Sequence, residues 1–343
     1  MTLFIDIVAL VALIAVVIWF CELFTNAIEW TGKKLGLNEG AVGSVLAAVG
    51  TALPETVVPL IALVGGWLAG HQAGGAVAEG AILGAPFMLA TLAMFVTGVA
   101  VIVYTRRGRR TAVIAVNSKV MGRDLTTFLV TFVAAIGVSF LPVIQLGPVT
   151  LKQLAALPFL AAYGLYVART LADEGEMEGD LLPLTFDGKR DEPRGGIVAL
   201  QVIVALLGIV GTAHFFVERL QHLAEIVHLN PLILSLLITP IATELPEKLN
   251  SVLWIGARKD TLALGNLTGA MVFQTCIPMA VGMALTPWVL SPSSLLAAGL
   301  TVLASGLMII QLRVRGELTP VVLLAGGIFY LMFAAGLFAF RLW

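Results

Sequence analysis

Long apolar runs, separated by short polar or Gly/Pro-containing connectors, dominate the pattern of this chain. A helix that crosses a bilayer needs about 20 mostly apolar residues, and the runs of that length predict ten membrane-spanning helices. They lie near residues 3–28, 40–68, 76–104, 124–143, 151–171, 195–217, 230–256, 261–285, 293–312 and 319–341. The pattern therefore predicts an all-α membrane protein with the lipid bilayer as its main partner.

Composition supports this interpretation. Of the 343 residues, 59% are hydrophobic and only 12% are charged, whereas a soluble domain carries about 25% charged residues. The formal net charge of -1 provides no general attraction for nucleic acid, so we expect no such partner. The sequence has no His-Glu-x-x-His or P-loop motif. We therefore expect a protein that is not an enzyme and that has no bound cofactor.

The distribution of Lys and Arg predicts the orientation. If the N-terminus is outside, most of the 20 basic residues fall in connectors on the cytoplasmic side, as the positive-inside rule requires. We therefore expect both termini outside the inner (plasma) membrane and connector 172–194 in the cytoplasm. Its acidic run, Asp173–Asp180, is typical of a solvated linker; a regulatory ion-binding loop is the alternative.

The two halves of the chain resemble each other. Thr51–Glu55 (TALPE) recurs as Thr243–Glu247 (TELPE), and Gly80–Ala85 aligns with Gly265–Ala270. Each half has five predicted spans, an odd number, so the second half enters the membrane from the opposite side. Such inverted repeats place a substrate site near the midplane. The predicted units are a first repeat 1–171, a linker 172–194 and a second repeat 195–343.

The two Leu-Pro-Glu segments carry the candidate chemistry. Glu55 and Glu247 each follow a proline near the centre of a predicted span, where an ionisable residue costs about 2.5–3.5 kcal/mol on insertion scales. Proline removes a backbone donor and leaves carbonyl oxygens available. Hard cations are bound by carboxylate, carbonyl and hydroxyl oxygens, so these segments, with Thr51 and Thr243, predict a cation site.

These segments, together with the Gly-rich segments Gly80–Gly84 and Gly265–Gly269, resemble the alpha repeats of the sodium/calcium exchanger and cation/calcium antiporter superfamily. The resemblance implies that Glu55 and Glu247 bind the transported ion, most simply Ca²⁺. It also implies Thr51 and Thr243 as neighbouring oxygen ligands, and we add Glu244, Asn266 and Gln274 to the candidate metal ligands.

The sequence departs from the family pattern in the third and eighth predicted spans. Where the family usually has polar residues, the third span has Ala85, Pro86 and Leu89. In the eighth span, Gln274 is the polar residue left at these positions. These departures weaken the expectation of coupling to Na⁺.

The second half instead has two additional charges, Glu244 and Lys248. They are four residues apart, so we expect a favourable pair on one helix face. In one interpretation the pair is self-neutralising and lines an aqueous cavity. In the other, Lys248 tunes the site as a tethered cation that replaces a co-transported ion.

The sequence therefore predicts a secondary antiporter that exchanges Ca²⁺, or a related cation, for H⁺ or Na⁺ by alternating access. Two alternatives remain open: a monovalent cation/proton exchanger, and a non-transporting membrane protein that retains the fold. The oligomeric state is also open, with a homo-oligomer among the options.

Overall fold

A computed structural model describes residues 2–52, 75–173, 181–226 and 244–340. These residues form helices joined by short connectors. The helices are α1 (Thr2–Leu35), α2 (Glu39–Thr51), α3 (Gly75–Met88, Leu89–Ala93 and Met94–Arg106), α4 (Ser118–Ser139), α5 (Leu151–Leu171), α6 (Gly195–Ile226), α7 (Leu245–Gly256), α8 (Asp260–Leu285), α9 (Pro292–Arg315) and α10 (Pro320–Phe340). A two-stranded antiparallel hairpin, β1 (Gln145–Leu146) and β2 (Val149–Thr150), connects α4 to α5.

Eight helices within the described ranges are long and apolar enough to cross a membrane. They are α1, α3, α4, α5, α6, α8, α9 and α10. The protein is therefore a predominantly helical, multi-pass membrane protein. The predicted spans 40–68 and 230–256 are described only over α2 and α7, so the expected number of ten spans stays a prediction.

Several predicted boundaries were wrong. α1 and α6 continue to Leu35 and Ile226, beyond the predicted ends, because polar residues extend a helix past its apolar stretch. α4 begins at Ser118, six residues before the predicted start at residue 124. There the Asn117 side chain accepts hydrogen bonds from the backbone N–H groups of the first turn, an N-cap that the apolar pattern does not reveal.

Helix α8 forms the centre of the bundle. Of its most apolar stretch 83% is buried, compared with 28% for α1. It contacts α2, α3, α4, α5 and α7. Side chains of these five helices therefore meet around α8. Helix α1, in contrast, presents much of its surface to lipid.

Two glycines of α8 allow α2 to pack closely against it. A Cβ atom on Gly269 would lie 2.1 Å from the Ser44 carbonyl oxygen, and one on Gly265 would lie 2.9 Å from Ser44 Oγ. Small residues allow close backbone contact between helices in a membrane. Because Ser44 lies in a π-helical turn, Val42–Ala47, the glycines of α8 accommodate the widened part of α2.

The second π-helical turn is accommodated in the same way. It spans Leu89–Ala93 of α3, and a Cβ on Gly326 of α10 would lie 2.3 Å from the Thr91 carbonyl oxygen. Single π-turns in helices occur often at functional sites.

The second part of the connector between the halves is docked against the helices, whereas residues 174–180 of its acidic run lie outside the described residues. Leu184 is fully buried in a cluster with Trp30 of α1 and Val198 of α6. The Trp30 ring N–H donates to the Leu182 carbonyl at 2.9 Å, and Asn26 Oδ1 accepts from the Thr185 N–H at 3.1 Å. An apolar anchor with paired backbone groups therefore fixes residues 182–185 between the first helices of the two halves.

A buried ion pair connects the start of α8 to the segment after α3. The Arg110 guanidinium donates to both carboxylate oxygens of Asp260 at 2.7 Å, and the Ala115 N–H donates to the same carboxylate. A bidentate pair fixes geometry as well as distance, so this contact sets the position at which α8 enters the bundle.

We predict that Gly269→Ala lowers the melting temperature of the purified protein. The new methyl group would overlap the Ser44 carbonyl, and overpacking of this kind costs about 1–3 kcal/mol. Gly299→Ala is the matched control, because a Cβ on this α9 glycine meets no atom within 4 Å. Thermal unfolding in detergent compares the two; equal melting temperatures would contradict the close packing of α2 on α8.

Candidate cation site

The second Leu-Pro-Glu segment starts a helix. α7 begins at Leu245, and Pro246 lies in its first turn, a position where the missing N–H of proline has no intrahelical role. Glu247 therefore lies in the first turn of α7, and the earlier part of the predicted span, residues 230–243, lies outside the described residues. The helix dipole favours a carboxylate at this end.

The first Leu-Pro-Glu segment, in contrast, follows the end of a helix. α2 ends at Thr51, and Ala52 has left the helical conformation. Glu55 and Thr243, two predicted ligands, lie outside the described residues.

A chain of hydrogen bonds connects three of the predicted residues. Thr51 Oγ1 lies 3.3 Å from Asn266 Oδ1, and Asn266 Nδ2 donates to the backbone carbonyl of Glu247 at 3.4 Å. Each of the three is fully buried. The amide of Asn266 thereby fixes the end of α2 and the start of α7 against α8.

Helix α1 contacts the same segment. Cys21 Sγ lies 4.0 Å from the Pro246 carbonyl oxygen, and this contact is buried. The Leu-Pro-Glu segment is thus enclosed by α1 on one side and α8 on another.

The predicted pair of Glu244 and Lys248 is formed. Lys248 Nζ lies 3.1 Å from Glu244 Oε2 and 3.3 Å from the Glu244 carbonyl oxygen. The two side chains are only 1% and 5% exposed. The pair is therefore enclosed by protein in this structure and does not line an open cavity.

Gln274 occupies a separate level of α8. It is buried and lies eight residues after Asn266, which corresponds to about 12 Å along the helix axis. Within the described residues, no three His, Cys, Asp or Glu side chains are grouped closely enough to hold a metal ion. A cation at Glu247 would thus need oxygen ligands beyond those acidic groups.

Asn250 is a buried residue that the sequence analysis missed. It lies one turn after Glu247 and is fully buried, and neither amide atom has a hydrogen-bond partner among the described residues. The sequence did contain a signal for Asn250, because a polar residue three positions after Glu247 lies on the same helix face.

Asp124 is the second residue that was missed. Its carboxylate accepts from Ser44 Oγ at 2.6 Å and Thr268 Oγ1 at 2.9 Å through one oxygen, and from the Tyr166 hydroxyl at 2.9 Å through the other. These donors lie on α2, α8 and α5, so one fully buried carboxylate joins four helices. The predicted span began at residue 124, which placed this acid at a boundary.

Arg123 connects this network to the start of the central connector. Its guanidinium contacts the carboxylates of both Asp124 and Asp173, and Lys119 pairs with Asp173 at 2.7 Å. Desolvation raises the pKa of Asp173, but hydrogen bonds and charges from Lys119 and Arg123 outweigh it, so this pKa lies below the usual aspartate value. The Asp173 carboxylate is therefore ionised at neutral pH and supports Arg123.

Comparison with known proteins decides the family. The family model of the sodium/calcium exchanger protein matches residues 5–172 and 197–341. The chain belongs to the sodium/calcium exchanger family. The resemblance recognised in the sequence is thereby confirmed, and the two matched segments fall on either side of the central connector.

Two relatives match over most of the chain. Inner membrane protein YrbG of Escherichia coli (strain K12) is 25% identical over 263 residues, 76% of this chain and 74% of YrbG. CaxA, an antiporter candidate of Alkalimonas amylolytica, is 24% identical over 333 residues, 94% of this chain and 97% of CaxA.

Solved exchanger structures share the fold. The sodium-calcium exchanger NCX_Mj soaked with 10 mM Na⁺ and zero Ca²⁺ matches with a TM-score of 0.73 at 16% identity, over 98% of this chain and 99% of that chain. The same exchanger soaked with 10 mM Na⁺ and 10 mM Sr²⁺ gives a TM-score of 0.74 at 15% identity, over 97% of this chain and 98% of that chain.

We predict that Tyr166→Phe destabilises the protein by about 1–3 kcal/mol, since a buried carboxyl oxygen of Asp124 loses its hydroxyl donor. The control is Tyr163→Phe: this ring packs against Tyr166 and Phe273, but its hydroxyl is not part of the Asp124 network. Denaturation midpoints measure the difference. A Tyr163 variant as destabilised as the Tyr166 variant would show that the Asp124 network contributes nothing.

Proposed function

We propose that this exchanger-family protein is a secondary-active antiporter that carries Ca²⁺, or a related cation, in exchange for H⁺ or Na⁺. The observation that carries the proposal is the placement of Glu247. Glu247 is buried in the first turn of α7. Asn266 connects its backbone carbonyl to Thr51 at the end of α2. The last turn of α2 has carbonyl oxygens without intrahelical partners, and such carbonyls together with a buried carboxylate are the materials of a cation site in a carrier.

In this proposal Glu55 is the counterpart of Glu247, and Thr51, Thr243, Glu244, Asn266 and Gln274 complete the oxygen ligands. The transported ion and the coupling ions neutralise the carboxylates in turn. The charged site without an ion does not change sides readily, because charge in the bilayer interior is costly. This constraint couples the movement of the two kinds of ion and prevents an uncoupled leak of either.

The proposed architecture is ten spans in two inverted five-helix repeats, 1–171 and 195–343, with 172–194 as linker. The separate family matches on residues 5–172 and 197–341 support it. The basic connectors favour an inner-membrane orientation with both termini outside and the linker in the cytoplasm.

One observation favours a second candidate, a monovalent cation/proton exchanger. Ala85 and Leu89 of α3 are buried and apolar, so α3 offers no side-chain oxygen for a divalent ion at these two positions. A non-transporting membrane protein would show no flux of any cation.

We predict that purified protein in liposomes takes up ⁴⁵Ca²⁺ when an outward H⁺ or Na⁺ gradient is imposed. Glu247→Gln should reduce uptake to about the level of protein-free liposomes, because the charge of a ligand strongly tunes Ca²⁺ affinity. Glu218→Gln, at an exposed position of α6, is the matched control and should transport normally. Uptake of Rb⁺ or Na⁺ without Ca²⁺ would favour the second candidate, and no flux under either gradient would overturn the antiporter class.

A further inference from the structure

The ion pair of Glu244 and Lys248 is not explained by stability. Both side chains are almost completely buried, and each buried ion loses several kcal/mol of hydration. Apolar residues of similar volume are often as stable as a buried pair or more so. A permanent charge pair at this position therefore indicates a role in function.

The pair is part of the environment of Glu247. Glu244 directly precedes α7, Glu247 lies in its first turn, and Lys248 is the next residue. All three side chains are buried and lie within about one helical turn, so their charges are only weakly screened from one another. The ammonium group thus contributes to the charge that a bound cation meets.

One oxygen of Glu244 is available for a ligand. Oε2 accepts from Lys248 at 3.1 Å, whereas Oε1, which is buried, has no hydrogen-bond donor among the described residues. A buried carboxylate oxygen without a donor is unfavourable. A transported cation that contacts Oε1 would remove this penalty while Lys248 keeps the other oxygen.

We propose that Lys248 is a resident cation of the transport site and permanently replaces one coupling ion. The inference rests on the proposed function, in which Glu55, Glu244 and Glu247 line the site. Three carboxylates and one ammonium group leave two negative charges. One divalent cation balances them, and so do two monovalent coupling ions. Exchange is therefore electroneutral.

Two single variants separate this role from a structural one, because they change the net charge of the site in opposite directions. Lys248→Met leaves three negative charges, so three monovalent ions exchange for one Ca²⁺. Glu244→Gln leaves one, so a single monovalent ion exchanges for one Ca²⁺. In both variants one net charge moves per cycle, but its direction relative to Ca²⁺ is reversed. The double variant Glu244→Gln/Lys248→Met again leaves two negative charges.

The experiment measures the steady-state ⁴⁵Ca²⁺ accumulation ratio in proteoliposomes under a fixed H⁺ or Na⁺ gradient, with a membrane potential set by K⁺ and valinomycin. One net charge per cycle changes this ratio roughly 50-fold per 100 mV. The wild-type ratio should not change with potential. The two single variants should shift it in opposite directions, and the double variant, whatever its rate, should again be insensitive.

A wild-type protein that transports and responds to potential would overturn the inference. So would an active single variant that is insensitive to potential, since a purely structural pair predicts no change in coupling. If one single variant does not fold, the other still decides the sign of the effect. Failure of the proposed function is distinct, because the wild type would then show no flux under either gradient.

Discussion

The structure depends on one constraint: a charge inside a lipid-surrounded bundle must be matched by polar groups of neighbouring helices, because hydrocarbon provides no water to do so. Asp124 is matched by three hydroxyl groups from three other helices. Buried charges at the helix ends are matched in the same way, Arg110 by Asp260 and Lys152 by three backbone carbonyl oxygens. Each match joins elements that are far apart in the chain, so the charged residues also determine how the apolar helices are arranged.

The same constraint explains the position of the candidate site. Glycines of α8 allow the backbone of α2 to approach closely, and this contact brings the end of α2 to Asn266. Asn266 then holds the start of α7. Because α2 ends and α7 begins at the Leu-Pro-Glu segments, the polar ends of two helices meet inside the bundle. A cation can replace water there, and the Glu244–Lys248 pair adjusts the charge that it meets.

The sequence was sufficient for the family and for most helices, since long apolar runs and repeated Leu-Pro-Glu segments are local signals. It was not sufficient where the outcome depends on tertiary contacts. Asp124 was missed because only the packed bundle shows the hydroxyl groups around it. Docking of Leu184 depends on a pocket formed by α1 and α6. The start of α7 at Leu245 could not be located from the sequence, because proline is compatible with both a helix kink and a helix start.

Location of a bound divalent ion tests the central claim most directly. Crystals of the protein soaked with Sr²⁺, an ion that scatters anomalously and resembles Ca²⁺, would show the site without reference to transport. The account predicts an anomalous peak within about 2.6 Å of a Glu247 carboxylate oxygen, the upper limit for Ca²⁺–oxygen distances, between α7 and α8. A peak at Asp124 or at the acidic connector, with none at Glu247, would contradict it.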